Sequence, residues 1–200
     1  MTPIAVATED QLSEAIALRL ISEVPTPHTV TFKLGNRGSG YLRSRMGSWY
    51  QMAQQQVMVL LTDLDRANCL VEFRAQWLAS APPDNLLFRI AVREVESWVL
   101  ADHVAMRTLI GAKGVLPISP DELPDPKQAL LGLVKGAPRQ VRDDLLKTID
   151  GRLSQGLGYN ARLSEWVNAE WSPDRASERS PSLARTRLRL REVVSAFALP

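Results

Sequence analysis

The sequence predicts an α/β fold, a parallel sheet with helices on both faces and a helical extension at the C-terminal end. Two observations lead there. Short apolar or β-branched runs (Ile4–Ala7, Thr29–Leu34, Val57–Leu61 and Leu86–Val92) alternate with helical segments through roughly the first 110 residues. Right-handed crossovers between such strands build a doubly wound, Rossmann-like sheet. The Val57–Leu61 run is also continuously apolar, as expected of a strand buried on both faces. It ends abruptly in Asp63-Leu64-Asp65, and in parallel sheets the chemistry sits just beyond the carboxyl ends of the strands.

The elements follow in order. After Ile4–Ala7, a helix is expected to about Glu23, with Leu12, Ala15, Ile16 and Leu20 facing the core and Thr8 as its N-cap. Val24-Pro25-Thr26-Pro27 ends it, and Thr29–Leu34 is the second strand. Gly35-Asn36-Arg37-Gly38-Ser39-Gly40 then leads into a helix expected over 41–55. It is either a loop whose backbone N–H groups approach a phosphate or a plain turn, and it is not a Walker loop, since no Gly-Lys-Ser/Thr follows. The helix expected over 67–79 carries Leu70, Phe73, Trp77 and Leu78 as core residues, with Cys69 as a small buried hydrophobe. Beyond Leu86–Val92, Ser97–Asp102 turns into a further helix. Residues 1–112 form the α/β core. Residues 113–200 form a Pro-rich connector with helices over 127–135, 138–149, 159–169 and 181–198, Ser180-Pro181 being a good helix start.

Composition narrows the function classes. A hydrophobic fraction of 45% and a charged fraction of 23% are those of an ordinary globular protein. The single cysteine excludes an internal disulfide and a multi-cysteine zinc site within the chain. His28 and His103 have no zinc-motif spacing. No stretch reaches the roughly 20 apolar residues of a membrane helix, and the N-terminus lacks a basic signal-peptide start, so a cytoplasmic location is expected. The net charge of +2 identifies no partner. Its distribution says more: no acid falls between Val24 and Thr62, where Lys33, Arg37, Arg43 and Arg45 lie, and arginines crowd the last 26 residues. Positive regions beside an acidic centre suit a polyanion held near metal ions, though solvated helix faces account equally well for the C-terminal cluster.

The acids carry the sharpest signal. Three of the four strands deliver carboxylates at one edge: Glu9 with Asp10 and Glu14, then Asp63 with Asp65, then Glu94 with Glu96. Each alone reads as a helix cap or a first-turn acid. Together they repel unless a cation compensates, and an all-oxygen set suits Mg²⁺ or Mn²⁺.

The arrangement resembles the Toprim domain, in which a glutamate follows the first strand and an Asp-x-Asp ends a later one. Ile4–Glu9 and Asp63-Leu64-Asp65 look like those motifs. The added acids make the chain similar to small bacterial Toprim-related proteins and to the nuclease domain of the overcoming-lysogenization-defect (OLD) family. Ala7–Glu14, Leu61–Asp65, Arg93–Asp102, Asp125-Pro126-Lys127, Trp171–Ala176 and Ser180-Pro181-Ser182 carry that similarity. The nuclease branch has glycine where Asp10 stands and a second glutamate one position before Glu14, which favours Asp10 over Glu14 as a ligand. The resemblance implies a Toprim-like fold and metal-dependent cleavage of DNA or RNA. Glu9, Asp63 and Asp65 would be catalytic and metal-binding, with Asp10, Glu94 and Glu96 as further ligands. Lys33, Arg37, Arg43 and Lys127 are candidate phosphate contacts. It also implies action in phage defence beside a separate ATPase subunit. The alternative is a non-catalytic module that binds nucleic acid or such an ATPase. Haloacid-dehalogenase phosphotransfer also uses Asp-x-Asp, but Ala67 stands where those enzymes carry Thr or Val, and the motif comes late in the chain.

Overall fold

All four apolar runs become strands, three of them extending a residue or two past the run itself. In the computed structural model, which describes residues 1–67 and 69–198, β1 spans Thr2–Thr8, β2 His28–Gly35, β3 Val57–Asp63 and β4 Leu86–Ala91. They form a parallel sheet in the order β2-β1-β3-β4. The chain winds one way from β1 to β2, then crosses back over β1 to β3 and β4. That reversal opens a crevice between the carboxyl ends of β1 and β3, where doubly wound sheets bind ligands.

Alternate side chains of each strand enter two separate cores, as the pleat requires. Ala5, Ala7, Met58, Leu60, Leu86 and Phe88 pack under α2 (Gly38–Ser44), α3 (Met46–Met52) and α4 (Leu70–Trp77). Ile4, Val6, Val57, Val59, Leu61 and Leu87 face a larger core. It is roofed by α1 (Gln11–Ser22), α5 (Glu96–Ala101), α6 (His103–Ile110) and the helices of the second half. Those are α7 (Pro126–Val134), α8 (Arg139–Leu145), α9 (Tyr159–Ala169), α10 (Pro173–Ser177) and α11 (Pro181–Ala198). The extension therefore shares one continuous core with the sheet.

Several elements differ from expectation for identifiable reasons. The segment expected to be helical over 138–149 stops at Leu145, and β5 (Leu146–Ile149) pairs antiparallel with β6 (Arg152–Gln155). The turn is Asp150-Gly151, with φ of 49° and 75°. Asp-Gly with positive φ at both central positions is the favoured two-residue hairpin turn, so the signal was present in the sequence. The helix over 41–55 starts at Gly38 and breaks at Arg45. The helix over 67–79 is shorter, Leu70–Trp77, and part of its expected first turn, Asn68, lies outside the described residues. Leu70 is 46% exposed and Cys69 half-buried, and among the four residues assigned to the core there only Trp77 is fully buried. Trp77 stacks at a tilt on Phe88, centroids 5.2 Å apart.

Asp102 locks the second half onto the first, and Asp121 ties the connector to α11 within the second half. Asp102, 0% exposed, caps α6 through the Ala105 N–H at 3.1 Å and accepts from the Ser172 N–H at 2.8 Å. Arg175 Nε and Nη2 complete the set at 2.9 and 2.8 Å. Burial alone would raise the Asp102 pKa, but the Arg175 guanidinium and the two backbone donors outweigh it and hold the carboxyl below its usual value. Asp121 accepts from Ser180 Oγ at 2.7 Å and the Ser182 N–H at 2.9 Å, anchoring the start of α11.

Candidate carboxylate site

The site begins at the crevice between β1 and β3. Glu9 leaves the end of β1 and turns its Oε1 across to β3, accepting from the Thr62 hydroxyl and from the Asp63 N–H at 2.9 Å. Asp63, the last residue of β3 and only 8% exposed, reaches the next connection, where its Oδ1 accepts from the Val95 N–H at 3.0 Å. Each carboxylate thus commits one oxygen to the neighbouring strand end. No protein donor among the described residues reaches Glu9 Oε2 or Asp63 Oδ2.

Glu94 and Glu96 follow β4. The turn before them is tight: Arg93 adopts φ +61° and Asp65 φ +50°, with the Asp65 N–H donating to Arg93 O at 2.7 Å. Left-handed backbone at two non-glycine residues is uncommon, and it aims the two strand ends at each other. Glu94 takes the Lys127 backbone N–H at 2.9 Å on Oε2 and Lys127 Nζ at 3.1 Å on Oε1. The first turn of α7, capped by Asp125 through the Gln128 N–H at 2.8 Å, therefore points at an acid, as the helix dipole favours. Glu96 is 2% exposed. Its Oε1 accepts from Tyr159 OH at 2.9 Å and lies 3.6 Å from Lys127 Nζ, while its Oε2 is buried without a partner among the described residues.

Burial dominates the electrostatics. It raises Glu9 against the two hydrogen bonds it accepts, and raises Asp63 well above the usual carboxylate range, with Glu96 and Glu9 repulsion adding to it. Glu96 is pushed up to about 7, again by burial first, with Lys127 and Tyr159 opposing. Glu94, Glu96 and, at longer range, Asp63 act on one ammonium, whose own pKa rises because Glu96 and Glu94 outweigh its burial. This excess of buried acid over base favours the neutral carboxyls.

The Glu96 titration has a direct consequence. Its folded pKa of about 7 lies above its ordinary 4.5, so the stability contributed by the neutral form is full below pH 4.5 and lost as pH rises through 7. The wild type is expected to lose about 3 kcal/mol of unfolding free energy between pH 4.5 and 8 on this account. Glu96→Gln should flatten that slope in urea unfolding across the range. A variant with the wild-type slope would assign the titration elsewhere.

Of the other candidates, some border this cluster and some lie away from it. Asp10 is the N-cap of α1 in place of Thr8, its Oδ1 accepting from the Ser13 N–H at 2.8 Å, because Thr8 is still the last residue of β1 and fully buried. Glu14 accepts from Asn36 Nδ2 at 2.9 Å. Asp65 is exposed at the mouth of a cleft it lines with Arg66, Arg93, Glu94 and Asp125. Lys127 lies at the carboxylate cluster, its ammonium paired with Glu94 and Glu96. Lys33 lies exposed on the edge strand β2, Arg43 exposed on α2, and Arg37 stacks over the Tyr41 ring at 5.2 Å. The glycine loop closes onto β1: the Asn36 N–H donates to Thr8 O and the Gly38 N–H to Glu9 O, both at 2.9 Å. At Gly35, with φ +102°, a Cβ would stand 2.1 Å from Thr8 O, so only glycine fits there. Tyr159 and Thr62 complete the site unannounced, for neither belongs to a local pattern of acids.

Among the described residues, no three His, Cys, Asp or Glu side chains form a ready metal cage. Mg²⁺ does not require one, since it usually binds through one or two carboxylates and keeps waters or phosphates in its other positions. Glu9 Oε2 and Asp63 Oδ2 suit that role. No described helix is long and apolar enough to cross a membrane. Compared with known proteins, the chain matches no family model, no curated protein and no solved structure.

Proposed function

We propose that the carboxylate edge is the active site of a Mg²⁺- or Mn²⁺-dependent nuclease that hydrolyses phosphodiesters of DNA or RNA. The observation that carries this reading is the junction of Glu9 and Asp63 at the topological switch point, both partly desolvated and each with one oxygen uncommitted. Glu9 and Asp63 would hold the ion, with Asp65 at the cleft mouth meeting its water shell. Such an ion supplies Lewis-acid stabilisation of phosphoryl charge and a water of lowered pKa. The chain's own contribution is orientation. The Thr62 hydroxyl and the Asp63 N–H fix the Glu9 carboxylate, and the Val95 N–H fixes Asp63. Glu96, near neutrality, is placed to exchange a proton within this cluster.

The test is cleavage of plasmid or oligonucleotide with Mn²⁺, comparing the wild type with Asp63→Ala combined with Asp65→Ala. Loss of at least about 100-fold in rate is expected. Cleavage unaffected by the double substitution would remove this site from consideration.

A second reading has its own observation. Lys127 Nζ already sits between Glu94 and Glu96 as a built-in counter-charge. That favours a non-catalytic module that binds nucleic acid or a partner ATPase. Nucleic-acid affinity without cleavage under either metal, together with co-purification of an ATPase, would select it. Action in phage defence would follow from either reading only through such a partner.

A further inference from the structure

On the outer edge of β4, between α4 and α11, four arginines from three elements line one cleft: Arg74, Arg89, Arg185 and Arg189. Like charges do not gather this way without cost. Arg185 and Arg189 are one turn apart on the same face of α11, a spacing at which equal charges repel. Arg89 is half-buried, its Nε held by Thr186 Oγ1 at 3.2 Å. Burial, then Arg185, Arg74 and Arg189, lower its pKa. Among the described residues, Arg74, Arg89 and Arg185 enter no ion pair; Arg189 pairs with Glu192 at 3.1 Å, and the one acid lining the cleft is Asp84. Such an arrangement is completed by an anion, and guanidinium forks match phosphate oxygens.

The cleft is also placed with respect to the carboxylates. Arg89 pairs in register with Leu61, two residues before Asp63, which is about 7 Å along the strand. That corresponds to about two nucleotide steps of roughly 3.4 Å rise each. Single-strand binding grooves stack bases on exposed aromatics. Here the one aromatic lining the cleft, Phe88, is buried against Trp77.

We propose that this cleft binds the phosphodiester backbone of double-stranded nucleic acid, without reading its sequence, and holds the duplex alongside the carboxylate edge. This rests on the nucleic-acid part of the function proposed above.

The test is fluorescence anisotropy of a labelled DNA duplex with the full chain in EDTA, across a salt series. Arg185→Glu combined with Arg189→Glu should weaken binding at least about tenfold at low salt and reduce the slope of log K against log salt by about 2, near 0.9 for each phosphate no longer neutralised. Asp84→Asn, which removes the opposing charge, should tighten binding. It stands as the deciding variant if the double reversal does not fold. Unchanged affinity and slope in the folded double variant, or unchanged affinity in Asp84→Asn, would overturn the proposal. Equal competition by polyglutamate of matched charge would overturn the assignment to phosphate. Parallel Mn²⁺ cleavage assays separate the two ideas. Arginine-dependent binding without cleavage rejects the nuclease and keeps the cleft. Cleavage with binding indifferent to Arg185 and Arg189 does the reverse.

Discussion

Asp63→Asn is expected to cut metal-supported cleavage by at least about 100-fold while leaving the fold as stable as the wild type or more so. Both effects come from the same atoms. Asn retains the oxygen that accepts the Val95 N–H, so the 3.0 Å link between the β3 end and the next turn survives. It removes a carboxyl whose charged form burial, Glu96 and Glu9 already disfavour. A cation loses its ligand, while the metal-free fold loses only a group that is held towards its neutral form. The opposite signs matter because a misfolded variant would lose both quantities together. Thermal unfolding and Mn²⁺ cleavage on one preparation decide the matter. A marked fall in melting temperature with activity intact would contradict both halves.

The largest expected loss of stability lies far from that site, at Arg175→Ala. Asp102 would keep two backbone donors but lose both guanidinium hydrogen bonds. Because the Arg175 side chain is itself 40% exposed, water can reach the gap, and losing these charge-assisted bonds costs about 2 kcal/mol, or roughly 4–8 °C in melting temperature for a chain of this size. Arg175→Lys should recover only part of it, since an ammonium cannot make the paired Nε and Nη2 contact. The sign with pH follows from the lowered Asp102 pKa. The stability from the pair is present above the ordinary value of 3.8 and disappears as pH falls through the lower folded value. The gap between wild type and Arg175→Ala in urea unfolding should therefore narrow in acid. Equal stability at pH 7 would mean that α10 is not held through this contact.

The carboxylate edge and the arginine cleft differ in how they could be read. Glu9, Asp63 and Glu94 each stand just after an apolar run, so their convergence follows from parallel strands alone. Arg74, Arg89, Arg185 and Arg189 are spread over more than a hundred positions, and only the packing of α11 and α4 beside β4 brings them together. Lys127 shows the same limit. Among basic residues it reads as a phosphate contact, yet the start of α7 inserts it between Glu94 and Glu96.

By itself the sequence determined the α/β class, four parallel strands, the shared edge of the acids, and the boundaries of α9 and α11, whose apolar spacing matches the structure to the residue. These follow from local periodicity and from the rule that parallel strands end on one side. Tertiary structure alone decided the order β2-β1-β3-β4, which puts Glu9 and Asp63 at the switch point. It also decided which acids share an ammonium, and that Asp102 and Arg175 join the two halves. The physical reason is the same in each case. A side chain's charge state and partners depend on what burial removes from water around it, and that is settled by contacts between residues far apart in the chain.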